Sequence, residues 1–152
     1  MERTYIAEND AERIRLTVLA SRLSDADIER TIRQGWTVGV AFVHLAFWDR
    51  LWLAKFDEFE RDGNLNGANS PRDTRFDADT LNDAMLPWWQ NIAPIQVKYE
   101  VIAAAEAVDR KAASLPDAFI DMILAGRPRT IIRAVHRREH LKEIERTLSG
   151  KS

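Results

Sequence analysis

Apolar residues recur along this chain at intervals of three and four, with no convincing alternation at two. That is the period of a helix face, not of a strand. Ile14, Val18 and Leu19 mark the buried side of a first helix over about Asp10 to Leu23. Ser24 then offers an N-cap for a short turn, with Asp27 three residues on as a weaker form of capping box. The segment WTVGVAFVHLAFWDRLW opens a second helix, about Trp36 to Glu60. It ends at RDGNLNGANSPRD, a loop rich in Gly, Asn, Asp and Pro. A short helical piece covers Asp79 to Trp89, interrupted by Pro87. Pro94 suits the first turn of a third long helix, which runs to about Ser114. Pro116 opens another short helix, to Leu124, and Pro128 starts the last long helix, to about Leu148. Four long helices and no sheet predict an all-α fold, a four-helix bundle with short extra helices in its connections. The longest connection, Arg61 to Pro94, suits a crossover along the bundle.

Composition narrows the classes. A chain of 152 residues, 45% hydrophobic and 30% charged, is expected to form one globular domain with a real core. A net charge of −2 gives no reason to expect nucleic acid or an anionic membrane surface as partner. The absence of cysteine excludes disulfides, thiolate ligands and a cysteine nucleophile. The start, MERTYIAENDAERIR, lacks the apolar run of a signal peptide, and no stretch approaches a membrane span, so a cytoplasmic location is expected. The run KFDEFERD, Lys55 to Asp62, reads as a solvated helix end.

The candidate chemistry lies in the only three histidines, His44, His136 and His140. With His44 as zero on a helical wheel, Val40, Phe47, Trp48 and Leu51 fall within about 60°, whereas Asp49, Arg50, Asp57 and Glu58 fall elsewhere. His44 is therefore expected to face the interior. His136 and His140, in HRREH, lie about 40° apart on one helix face. Each observation has an ordinary explanation: a hydrogen-bonded core histidine, and a solvated helix boundary. Together they suggest three neutral imidazoles converging between facing helices, a set that suits a divalent metal with an open position. Asp49, Glu100, Glu106, Glu139 and Glu143 are candidate acceptors for the outer ring nitrogens. The stretch from His136 to His140 also matches HxxEH, the inverted zinc-protease signature with Glu139 as base. Five matching residues in a small bundle are weak support for that reading.

The two histidine segments, WTVGVAFVHLAFWDR and, about ninety residues later, AVHRREHLKEIE, resemble the DinB-like, YfiT-type metalloprotein superfamily. The resemblance covers nearly the whole chain. It implies an up-down-down-up four-helix bundle, frequently a homodimer, with a divalent metal held by His44, His136 and His140. It further implies an uneven range of activities: thiol-dependent transferases and isomerases, metal-dependent hydrolases, and proteins that protect against reactive metabolites or toxins.

A metal held by three neutral nitrogens would acidify a bound water, favouring hydrolysis, or a bound thiol, favouring thiol transfer. With no cysteine in the chain, any such thiol is a separate low-molecular-weight molecule. Arg129 and Arg133 are candidates to bind a carboxylate of that cofactor, against the simpler reading of solvated helix arginines. Zinc or nickel suits the ligand set best, and iron or manganese is compatible with it. Trp48 is expected in the core, and Trp88 with Trp89 over a pocket or a dimer face. Beside the enzyme stand two alternatives: a protein that sequesters a small molecule in the same cavity without turnover, and a bundle whose histidines are core residues.

Overall fold

The structure is a computed structural model, and it describes residues 3–62 and 77–150. The Gly- and Asn-rich loop after the second helix falls outside the described residues from position 63 onward. The fold is mostly helical. In chain order the elements are α1 (Thr4–Arg22), α2 (Asp25–Ile28), β1 (Thr31–Arg33), β2 (Trp36–Thr37), α3 (Val38–Asp62), α4 (Ala78–Trp89), α5 (Pro94–Ser114), α6 (Asp117–Gly126), a 3-10 turn (Pro128–Thr130) and α7 (Arg133–Leu148). No helix among them is long and apolar enough to cross a membrane.

Hydrogen bonds and ion pairs fix how the long helices run. Tyr5 donates its hydroxyl to Ala112 O at 2.8 Å, Arg13 reaches Asp109, and Lys98 donates to Leu23 O, so α1 and α5 are antiparallel. Arg50 pairs with Glu100, and Asp57 with Lys111, so α3 and α5 run in the same direction. Glu12 meets Arg138 and Arg15 meets Glu145, so α1 and α7 are also parallel. α3 packs on both α5 and α7, as α1 does.

Between these helices lie two apolar clusters. One gathers Leu16, Leu19 and Leu23 with the first turns of α3, the first half of α5, and Leu141 and Ile144. The other gathers Tyr5, Phe56, Phe59, Val108, Leu115, Ile120, Ile123 and Ile131. On α1, α3 and α7 the buried polar residues Asn9, Asp49, Arg133 and Arg137 fall between the positions that feed the two clusters, and on α5 Asp109 directly follows Val108, where the second cluster begins.

Several expectations from the sequence need correction. The first helix begins six residues earlier than expected, and of the three residues expected inward only Leu19 is buried. Ile14 and Val18 are each 59% exposed, while Tyr5, Asn9, Leu16, Leu19 and Ala20 are buried. The last helix starts at Arg133, not Pro128. Asn9 accounts for the break: its Nδ2 donates to Ile131 O and its Oδ1 accepts from Ala134 N, both at 2.9 Å. A side chain on α1 thereby satisfies backbone groups that a continuous helix would have paired internally.

α4 continues through Pro87, which lies in its last turn, rather than being interrupted there. Trp36 belongs to a two-stranded hairpin, not to α3, and Gly35 supplies the left-handed φ of +77° at its turn. Asp49 is buried, and Trp48 is only half-buried. The Ser24–Asp27 capping box is present with both of its hydrogen bonds. Gly39 lets α2 close on α3, since a Cβ there would stand 2.9 Å from Ile28 Cγ2.

Candidate metal centre

α3 is buried from Val38 to Ala46, and α3 as a whole packs on α5, α7, α4, α2 and β2. His44 sits inside it, 4% exposed. α7 brings His136 and His140 to the same point from one face, one turn apart. The three rings form a nearly equilateral triangle, with centroids 4.9, 4.7 and 4.9 Å apart. One nitrogen from each lies within 4.8 Å of the others. A tetrahedral ion with bonds of about 2.0–2.1 Å holds its nitrogens about 3.3 Å apart. The Nε2 atoms of His44 and His136 are already 3.0 Å apart.

Burial is the main force on all three rings. It lowers the pKa of His44 to about 3, helped by the charge His140 would carry, and that of His136 to about 2, helped by the Arg133 guanidinium. Burial also lowers His140, although Glu143 opposes it. Each ring is therefore neutral near pH 7 and has a lone pair to give. Two outer nitrogens, Nδ1 of His44 and Nδ1 of His140, are buried without a hydrogen-bond partner. Glu143 Oε2 comes within 3.4 Å of His140 Nδ1 but outside hydrogen-bonding geometry.

His136 is held differently. Arg133 Nη2 lies 3.1 Å from its Nδ1. A guanidinium only donates, so Nδ1 accepts and the ring proton sits on Nε2, pointing at His44 Nε2. Ligation through His136 Nε2 would require that proton to leave Nε2 and the Arg133 contact to open. The donor set thus fits a metal in ligand type, spacing and neutrality, with one hydrogen bond to rearrange.

Behind Arg133 lies a buried ion layer. Arg133 Nε donates to Asp49 Oδ1 at 2.7 Å. Arg137, 0% exposed, donates to Asp49 Oδ2 at 3.0 Å and to both oxygens of Asp109 at 2.7 and 2.9 Å. Of the proposed acceptors, Asp49 thus reaches His136 only through Arg133, and Glu143 comes near His140. Glu100 pairs with Arg50 at the surface, and Glu106 lies beside a separate cavity between α1 and α5. Glu139 is held by Arg129 at 2.6 Å, so the HxxEH reading loses its free base.

Aromatic rings enclose His44. Trp36 and Trp89 meet it edge-on at 5.1 and 5.5 Å, and Trp36 stacks on His140 at 6.4 Å. Trp88, by contrast, is 75% exposed. A cavity of about 460 Å³ opens beside the rings, walled by Trp48 and Trp52 and carrying Arg129 at its rim and Arg133 at its base. Sequence reasoning missed Asn82, whose Oδ1 accepts from Trp48 Nε1 at 3.0 Å, and the partners of Asp49. A lone aspartate inside the apolar run of α3 was the available signal for the ion layer.

Set against known proteins, the chain matches no family model, and no curated protein or solved structure matches it significantly.

Proposed function

We propose that this chain is a DinB-like metalloprotein in which His44, His136 and His140 hold a divalent transition metal for transferase or hydrolase chemistry. One observation carries the reading: three neutral imidazoles converge in a cavity, and two of them have buried outer nitrogens with no hydrogen-bond partner among the described residues. Buried side-chain polar atoms of a core residue mostly find such a partner. The helix directions support an up-down-down-up four-helix bundle, with α1 and α7 running one way and α3 and α5 the other. The homodimer and the cytoplasmic location expected with that family belong to the same proposal.

A metal bound there supplies a Lewis acid that acidifies a water or a thiol brought to it. The protein's own groups do the rest. Burial keeps the three rings neutral. Trp48 and Trp52 present an apolar wall that excludes water from a bound substrate. Arg129 and Arg133 line the cavity as its candidates for a cofactor carboxylate, which would compete there with Glu139 and Asp49.

The test is elemental analysis of protein purified without a polyhistidine tag, beside His44→Ala and His136→Ala. The expected result is near one equivalent of a transition metal in the parent protein and none in either variant. No metal after reconstitution with zinc, nickel, iron and manganese would overturn the proposal. With metal bound, thiol-dependent consumption of an electrophile identifies a transferase, and ester or amide cleavage without thiol identifies a hydrolase. Binding without either turnover would favour sequestration in the same cavity.

A further inference from the structure

The histidines are reached from two sides. Besides the tryptophan-walled cavity, a second one of about 420 Å³ is bounded by Arg33, Trp36, Asp79 and Asp83. His44, His140 and Asn82 line both. Helix α4 is the partition. Asp79 and Asp83, four residues apart on one face, look into the second cavity, and Ala78 looks into the first. Asn82 stands on the edge between them, tied to Trp48.

The two spaces differ in charge and polarity. In the second, the one cation among the described residues is already engaged: Arg33 lies 4.2 Å over the Trp36 ring and pairs with Glu143. Asp79 and Asp83 have no side-chain partner among the described residues. Among the described residues, the cavity therefore presents two carboxylates with no cation paired to them. Carboxylates alone would be an ordinary solvated helix face. Here they flank His44, which is 4% exposed and whose Nδ1 lacks a partner. In the first cavity the walls are indole, and the charged groups are paired with one another or with a buried partner, Arg129 with Glu139 and Arg133 with Asp49.

We propose that the centre receives two reactants from opposite sides of α4: a small polar molecule bearing an ammonium group beside Asp79 and Asp83, and an apolar molecule between Trp48 and Trp52. This rests on the metal reading above. An ammonium group offers three donors and a positive charge to two carboxylates one helical turn apart. An apolar body gains instead from burial against indole faces.

The test uses cobalt-loaded protein at low ionic strength, where the absorption of a thiolate bound to cobalt reports occupancy. Three thiols serve as probes: 2-aminoethanethiol, 2-mercaptoethanol as its uncharged counterpart, and phenylmethanethiol. Because their thiols differ in acidity, each dissociation constant is compared between protein variants, not between probes. In Asp79→Asn/Asp83→Asn, 2-aminoethanethiol should weaken about fivefold, as expected for losing two exposed charge pairs, while the other two stay within about twofold. In Trp52→Ala, phenylmethanethiol should weaken about tenfold and 2-aminoethanethiol should not change. That crossed pattern is the expected result. If both variants weaken both probes alike, or the carboxylate pair has no effect on 2-aminoethanethiol, the two-sided site is wrong although the metal centre stands. If no cobalt spectrum forms before thiol is added, or it persists in His44→Ala, the metal reading fails and this inference fails with it.

Discussion

Two buried polar clusters adjoin in this protein, joined by the Arg133 guanidinium, and they differ in how fully their atoms are paired. In the ion layer, all four carboxylate oxygens of Asp49 and Asp109 accept from arginine, and only Nε of Arg137 is left over. The layer ties α1, α3, α5 and α7 together at the level where the two apolar clusters part. In the histidine cluster, two rings have a buried nitrogen with no hydrogen-bond partner among the described residues, and a single hydrogen bond links His44 to His136. A cluster whose groups satisfy one another needs nothing from outside. A cluster with open valences at the edge of a cavity is arranged for a ligand.

The largest effect should come from breaking the satisfied cluster. Arg137→Met leaves Asp109 and part of Asp49 buried without their main cation. Removing one partner from a buried pair costs about 3–5 kcal/mol. Urea unfolding of metal-free protein measures it. A loss below about 1 kcal/mol would mean that the layer is hydrated rather than buried, and the contrast between the clusters would collapse.

The second test approaches the open cluster. His44→Ala should abolish metal binding and yet cost metal-free protein less than about 2 kcal/mol, since the ring gives up few protein hydrogen bonds. Adding metal to the parent protein should raise its stability, by about 4 kcal/mol when the free ion is a thousand times its dissociation constant. Stripping it with a chelator should reverse the gain. If His44→Ala unfolds the metal-free protein as severely as Arg137→Met, His44 belongs with the structural residues.

Acid separates the clusters further. The folded-state pKa values of His44 and His136 lie near 3 and 2, below the unfolded value near 6.5. Between those values the unfolded chain binds protons that the native state refuses, so native stability falls as pH falls below about 6.5. The slope is up to about 1.4 kcal/mol per pH unit for each histidine. Metal-stripped protein should therefore lose stability steadily from pH 6.5 toward pH 4, and His44→Phe should flatten the curve. An unchanged slope in that variant would show that His44 is not kept neutral by burial.

The parts that were legible in the sequence depend on local periodicity and local chemistry. Both ends of α5, Pro94 and Ser114, and the Ser24–Asp27 box could be read from neighbouring residues. So could the inward direction of His44. The face of α1 could be read only at Leu19. Ile14 and Val18 are apolar and four apart, but the buried stripe runs through Asn9, whose place is set by the backbone at Ile131 and Ala134. The hairpin at Thr31–Thr37 is too short for an alternating pattern to register. Asp49 reads only as a candidate acceptor for a histidine until its partners, Arg133 and Arg137, arrive from 84 and 88 residues away.

The smallest expected effect lies at the link between the clusters, and it has an unusual sign. Arg133 supports the ion layer through Asp49, yet its Nη2 holds His136 in the tautomer that points a proton at the metal position. Glutamine offers a side-chain oxygen that can accept from His136 Nδ1–H, the tautomer a metal at Nε2 needs. Arg133→Gln should therefore raise metal affinity a few-fold, about 1 kcal/mol. Arg133→Lys, which also only donates, should not. Asp49 keeps Arg137 at 3.0 Å in both variants, so the fold should survive for the measurement. Competition against a chromophoric chelator at constant pH gives the ratio. If glutamine weakens the metal as lysine does, Arg133 serves the histidines by packing and charge, and the two clusters are one structural unit at that point.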